Sequence, residues 1–168
     1  MVTSNENKDK DLGYLKQCLV LAQESLDAGD EPFGSVLVNK QGDVIATSRN
    51  RTNEVNILFH PEIELARWAS ENLTSQESQQ STMYTTGEHC PMCAAAHGWA
   101  GIGTLVYLAS GKQLNKWYDE FGRPLAPIHF LPVQDILKEV EIRGPFSGTL
   151  LDQIKEMHRL SYLKIKDS

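Results

Sequence analysis

The chain switches between two hydrophobic periods. Leu12, Leu15, Leu19, Ala22 and Leu26 recur at helical spacing and stop near Gly29, which predicts a first helix with one apolar face. Residues 33–39 and 44–48 read as strands, with Lys40-Gln41-Gly42-Asp43 as the turn between them, so the two should form an antiparallel hairpin. A helix is predicted from Pro61 to about Leu73, a strand over 82–86, a helix from Pro91 to about Ala100 and a buried strand over 104–109. That strand–helix–strand unit is a crossover, which makes its two strands parallel. A helix over 113–121, a strand near 140–143 and an amphipathic helix from Thr149 to about Leu163 complete the pattern. A hairpin followed by crossovers implies an α/β fold with a mixed sheet and helices on both faces. The polar run Asn72 to Ser81 reads as a loop, and residues 1–10 are expected to fray ahead of a single domain over 11–168.

Composition narrows the class without naming it. At 168 residues, 40% hydrophobic and 23% charged, the chain is an ordinary single globular domain. No apolar run is long enough to span a bilayer, and the polar start MVTSNENKDKDLG lacks the apolar core of a signal peptide. A cytoplasmic protein with no membrane partner is expected. The net charge of −6 counts against a protein built to grip a polyanion, although a local basic groove stays open. Three cysteines are too few, and odd in number, for a disulfide framework.

The chemistry is concentrated in His60-Pro61-Glu62 and Cys90-Pro91-Met92-Cys93. Each places a proline at the first position of a predicted helix, where its missing N–H costs nothing. His60 and Cys90 are then the caps, with Glu62 and Cys93 in the first turns. A cap side chain and one three positions later can approach each other, so the two cysteines can share an ion. One imidazole and two thiolates make three zinc ligands; a catalytic zinc site has three and keeps its fourth position for water. Glu62, two residues from a ligand, is placed as the general acid–base that takes the water proton and returns protons to the substrate. The competing readings are a buried or redox-active cysteine pair, and a glutamate that merely meets a helix dipole.

The pattern is the zinc-deaminase signature H-x-E followed by P-C-x-x-C, except that His89 stands where proline precedes the first cysteine. On these residues, with Pro32-Phe33-Gly34 and Thr85-x-x-Glu88, the chain resembles the cytidine-deaminase-like superfamily, in its nucleobase and tRNA-adenosine deaminase branch. The resemblance runs from about Leu12 to Leu163. It implies a three-layer α/β/α sandwich around a five-stranded sheet, a homodimer or larger assembly, and Asn50 hydrogen-bonded to the substrate base. Around Pro32-Phe33-Gly34 the match is more like the guanine-deaminase type.

The expected activity is therefore hydrolytic deamination of a nucleobase-type ring, with a free purine such as guanine first. tRNA adenosine, cytosine or a cytosine nucleoside, and an inactive fold with structural zinc are the alternatives. Phe33 and one aromatic of the Trp117-Tyr118-Asp119-Glu120-Phe121 cluster are expected to cover the ring, and Asp119 or Glu120 to accept from its N–H groups. His89 is expected either to line the pocket or to cap locally. His97 is read as packed or at the solvent edge, Cys18 as core, and His129 and His158 have no partner visible in sequence.

Overall fold

A computed structural model describes residues 4–124 and 126–166. Its elements are α1 (Ser4–Asp27), β1 (Gly34–Val38), β2 (Val44–Arg49), α2 (Pro61–Asn72), α3 (Ser75–Gln79), β3 (Thr82–Gly87), α4 (Pro91–Trp99), β4 (Thr104–Ala109), α5 (Gly111–Phe121), β5 (Glu141–Arg143) and α6 (Thr149–Lys166). The strands form one mixed sheet in the order β2-β1-β3-β4-β5. β1 runs antiparallel to β2 and β3, whereas β3, β4 and β5 are mutually parallel. The fold is the α/β sandwich that the pattern predicts.

Alternation along the strands divides the core. Val36, Val38, Tyr84, Val106 and Leu108 face α1, α5 and α6, where they pack with Leu15, Cys18, Ala22, Leu114, Trp117 and Ile154. Leu37 and Met83 point the other way, onto Leu65, Ala66 and Ala69 of α2, and Leu105 and Tyr107 meet Ala94 of α4. The three central strands are almost wholly buried, as strands covered by helices on both faces must be. Gly34 lets α1 lie directly on β1: a Cβ there would fall 2.8 Å from the Ala22 nitrogen and closer still to the Cys18 carbonyl oxygen. A methyl at Gly34 would push β1, and the site at its end, away from its neighbours.

Two boundaries differ from the sequence reading. α1 starts at Ser4, so most of the segment expected to fray is helical. The predicted loop after α2 contains α3, closed by a capping box in which Thr74 accepts from the Glu77 N–H while the Glu77 carboxylate accepts from the Thr74 N–H. Thr74-Ser75-Gln76-Glu77 is the S/T-x-x-E pattern, and its local hydrogen bonds outweigh a composition that otherwise reads as loop.

Candidate active site

α2 and α4 both begin at the ends of strands on one side of the sheet, and each begins with a cap followed by proline. His60 caps α2 and Cys90 caps α4, both in extended backbone, as the sequence predicts. Two separate crossovers thus bring His60, Cys90 and Cys93 together, with their ligand atoms within 4.8 Å of one another. His60 Nδ1 lies 3.8 Å from Cys90 Sγ and 3.6 Å from Cys93 Sγ. A tetrahedron with Zn–S of ~2.3 Å and Zn–N of ~2.0–2.1 Å has an S–N edge of about 3.6 Å. The donor set and its spacing fit a metal ion of that size.

The charges fit it too. A hydrogen bond from the Cys93 thiol, with His60 alongside, pulls Cys90 down to about 4, while Cys93 keeps its proton and is raised. Burial lowers His60, but the hydrogen bond to Cys90 and the charges of Glu62 and Cys90 together hold the imidazole above its ordinary value.

Glu62 is buried beside the group, its Oε2 3.9 Å from Cys93 Sγ. Its other oxygen is fixed: Thr85 Oγ1 donates to Glu62 Oε1 at 2.8 Å, and Ser35 Oγ donates to Thr85 Oγ1 at 2.9 Å. Ser35 and Thr85 are register partners on β1 and β3, so the sheet itself orients the carboxylate. Burial raises the pKa of Glu62 above the usual carboxylate range, which suits a group that must both take and give a proton near neutrality. Sequence reasoning did not assign this relay; β1 offers Ser35, but β3 carries three threonines, so only the strand register singles out the pair.

A cavity of about 470 Å³ is lined in part by His60 and Cys90. Its walls are Phe33, Ile57, Leu58, Met92, Leu114 and Tyr118, with Glu31, Glu88, Asn115 and Arg123 as polar groups and residues 126–128 and Phe130 across the mouth. Glu88 anchors this arrangement. Its two carboxylate oxygens accept from the backbone N–H groups of Gly111 at 2.7 Å and Val133 at 2.9 Å, tying the cysteine turn to α5 and to the end of the covering segment.

Phe33 is at the cavity, as expected. Asn50 is buried at the end of β2, its Oδ1 accepting from the Thr52 N–H at 2.8 Å, and it is not one of the cavity-lining residues. Trp117 and Asp119 are not where the sequence reading puts them. Helical spacing turns Leu114 and Tyr118 toward the cavity and sends Trp117 into the core, where it packs near His158. It leaves Asp119 and Glu120 exposed, with Glu120 paired to Lys155. His89 is also corrected: it is fully buried and turned away, with Nε2 3.1 Å from His97 Nδ1, and His97 Nε2 in turn lies 3.1 Å from the Ile102 carbonyl. Because a carbonyl can only accept, His97 donates to it and His89 donates to His97. His89, just ahead of the α4 cap, thus forms a buried imidazole pair with His97 inside that helix.

A family model for the MafB19-like deaminases matches residues 9–154, nearly the whole described fold. The chain belongs to this family. Among curated relatives, this deaminase is 29% identical over 149 residues to the probable cytosine deaminase of Schizosaccharomyces pombe, covering 86% of this chain and 90% of the relative. It is 36% identical over 98 residues to the guanine deaminase of Bacillus subtilis, covering 57% and 62%. A solved structure from a study of tRNA:A34 deaminases superposes with a TM-score of 0.59 at 29% identity, covering 87% of this chain and 99% of the other. The protein is thus a hydrolytic deaminase of the cytidine-deaminase-like superfamily, with relatives named for three different bases.

Proposed function

We propose that this deaminase releases ammonia from a free nucleobase, using zinc held by His60, Cys90 and Cys93 and Glu62 as the proton shuttle. The observation that carries the reading is the covered, mostly apolar cavity beside the ligand group, within the size range of small-molecule sites. A bound zinc supplies a Lewis acid that makes water nucleophilic near neutral pH. The chain supplies the rest. Glu62, held by Thr85, takes the proton of the attacking water and delivers protons to the ring nitrogen and the departing amine. Phe33, Leu114 and Tyr118 exclude bulk water and hold the flat ring.

Base in tRNA is a weaker reading. The net charge is −6, and Arg123, the one Lys or Arg lining the cavity among the described residues, is ion-paired with Glu31. Among free bases, cytosine comes first, because Asp119 and Glu120 point to solvent and Glu88 is committed to two backbone N–H groups, which leaves guanine's ring N–H groups without those acceptors. The similarity over 149 residues to the Schizosaccharomyces pombe protein supports the same order. Guanine is the second reading, favoured by a cavity roomier than one pyrimidine ring needs. The homodimer stays the expected assembly.

Two measurements test this. Ammonia release is expected from free cytosine or guanine faster than from their nucleosides, nucleotides or tRNA; conversion of tRNA adenosine with both free bases inert would reverse it. Elemental analysis is expected to give about one zinc per chain, lost in a Cys90→Ala, Cys93→Ala double variant. Full zinc in that variant would place the metal elsewhere.

A further inference from the structure

Arg123 is the one Lys or Arg lining the cavity among the described residues, and its hydrogen bonding is incomplete. It follows Gly122, the left-handed cap of α5, and its backbone N–H donates to the Tyr118 carbonyl at 2.8 Å. The guanidinium is ion-paired through Nη2 to Glu31, and its Cζ stands 4.4 Å from the centre of the Tyr118 ring. Its Nη1 is buried with no hydrogen-bond partner among the described residues. A buried donor left unpaired is costly, more so on a charged group, and on a cavity-lining residue a bound ligand is one way to complete the network. Glu31, Tyr118 and Arg123 line the same cavity as His60 and Cys90.

Resting on the free-base reading above, we propose that Arg123 is the specificity-determining residue of this deaminase, with Nη1 donating to a carbonyl oxygen on the substrate ring. Glu31 balances the guanidinium charge, so the group offers a directed donor and little net charge. That suits a neutral ring oxygen and not a nucleotide phosphate. Cytosine and guanine each carry such an oxygen next to the ring nitrogen; adenine has none. The oxygen and the amine occupy different ring atoms, so a contact at one edge fixes which carbon faces the metal ligands. Tyr118 and Glu31 hold the guanidinium plane before the base arrives, so little freedom is lost on binding. A buried donor rejects a ring lacking the acceptor far more strongly than an apolar wall rejects a missing methylene.

The test compares each base with its oxygen-free analogue on the zinc-loaded enzyme: cytosine against 4-aminopyrimidine, and guanine against 2-aminopurine. The ratio of kcat/KM values is measured for wild type, Arg123→Met and Arg123→Lys, with zinc content and melting midpoint recorded for each. Arg123→Met is expected to lower the oxo to oxo-free ratio by roughly one to two decades, the range for a hydrogen bond to a charged group. Arg123→Lys, which keeps a cation beside Glu31, is expected to retain part of the ratio, and carries the comparison alone if the methionine variant does not fold. A ratio unchanged in the variants, with both rates falling equally or neither falling, overturns the assignment while leaving the free-base reading standing. A wild-type enzyme that releases ammonia from no free base and acts only on tRNA overturns that reading and the assignment with it.

Discussion

Glu62→Gln is expected to fold normally, keep its zinc and lose ~10²–10⁴-fold in turnover, the range for removing a positioned general acid–base. The size of the loss follows from where the carboxylate sits. Glutamine has the same shape, and its side-chain carbonyl can still accept from Thr85, so the hydrogen bond that positions the group survives. What disappears is the ability to hold a proton at Oε2, the oxygen on the Cys93 side. Steady-state ammonia release and elemental analysis on the same preparation check it. Near wild-type turnover with full zinc would show that the protons travel another way.

Acid should destabilise this protein steeply, through buried imidazoles that take no part in the proposed proton transfer. His158 and His97 are buried and pushed down to about 3 and about 4, and burial also holds His89 well below 6.5. Their surroundings explain it. Burial is the main cause at each, and at His158, enclosed by Phe33, Trp117 and Tyr118, nearby Arg123 adds to it; at His97 the Ile102 carbonyl works against burial without overcoming it. The unfolded chain takes up these protons near 6.5 and the folded chain does not. Stability fully present above 6.5 is therefore lost as the pH falls from there toward 4 and 3. Each neutral imidazole adds up to ~1.4 kcal/mol per pH unit, so three add up to ~4 kcal/mol per unit, against a total that is typically ~5–15 kcal/mol. Urea unfolding of zinc-saturated protein at pH 7, 6 and 5 measures the slope, and His97→Gln and His158→Gln should each flatten it by about one proton. Because wild type and variants share the same zinc ligands, the difference between slopes isolates the histidines. Identical slopes would mean that these rings are already charged in the folded state.

Legibility in the sequence follows the range of the interaction responsible. The strands, the two long crossovers and both helix starts at the site are readable because they rest on periodicity and on proline at the first helical turn, which are local. Likewise His60, Glu62, Cys90 and Cys93 announce themselves by spacing and meet in the structure. α3 was just as local and was hidden only by its polar composition. Other features depend on register or distant packing. Ser35 and Thr85 meet because β1 and β3 pair in one register, and Arg123 meets Glu31 across most of the chain. Trp117 and Asp119 show the limit most clearly. Both lie on a segment rightly linked to the cavity, but a rotation of one residue, about 100° around a helix, decides whether a side chain faces the ring, the core or water.

Glu88 has a consequence for how such an enzyme can change. The segment over the cavity mouth is pinned at one end by the Gly122 cap and at the other by the bond from Val133 to Glu88. Between those pins the mouth residues Ile128 and Phe130 touch neither the sulfurs nor the Glu62 relay in any hydrogen bond, and Ile128 is half exposed. Substitutions or insertions there can reshape what the mouth admits, and lengthening a loop is cheap, ~0.6 kcal/mol for each doubling. The same carboxylate keeps such edits from propagating into the cysteine turn. Selection, or an engineer, can thus exchange one tolerated ring for another as a cassette, with hydrolysis carried along unedited.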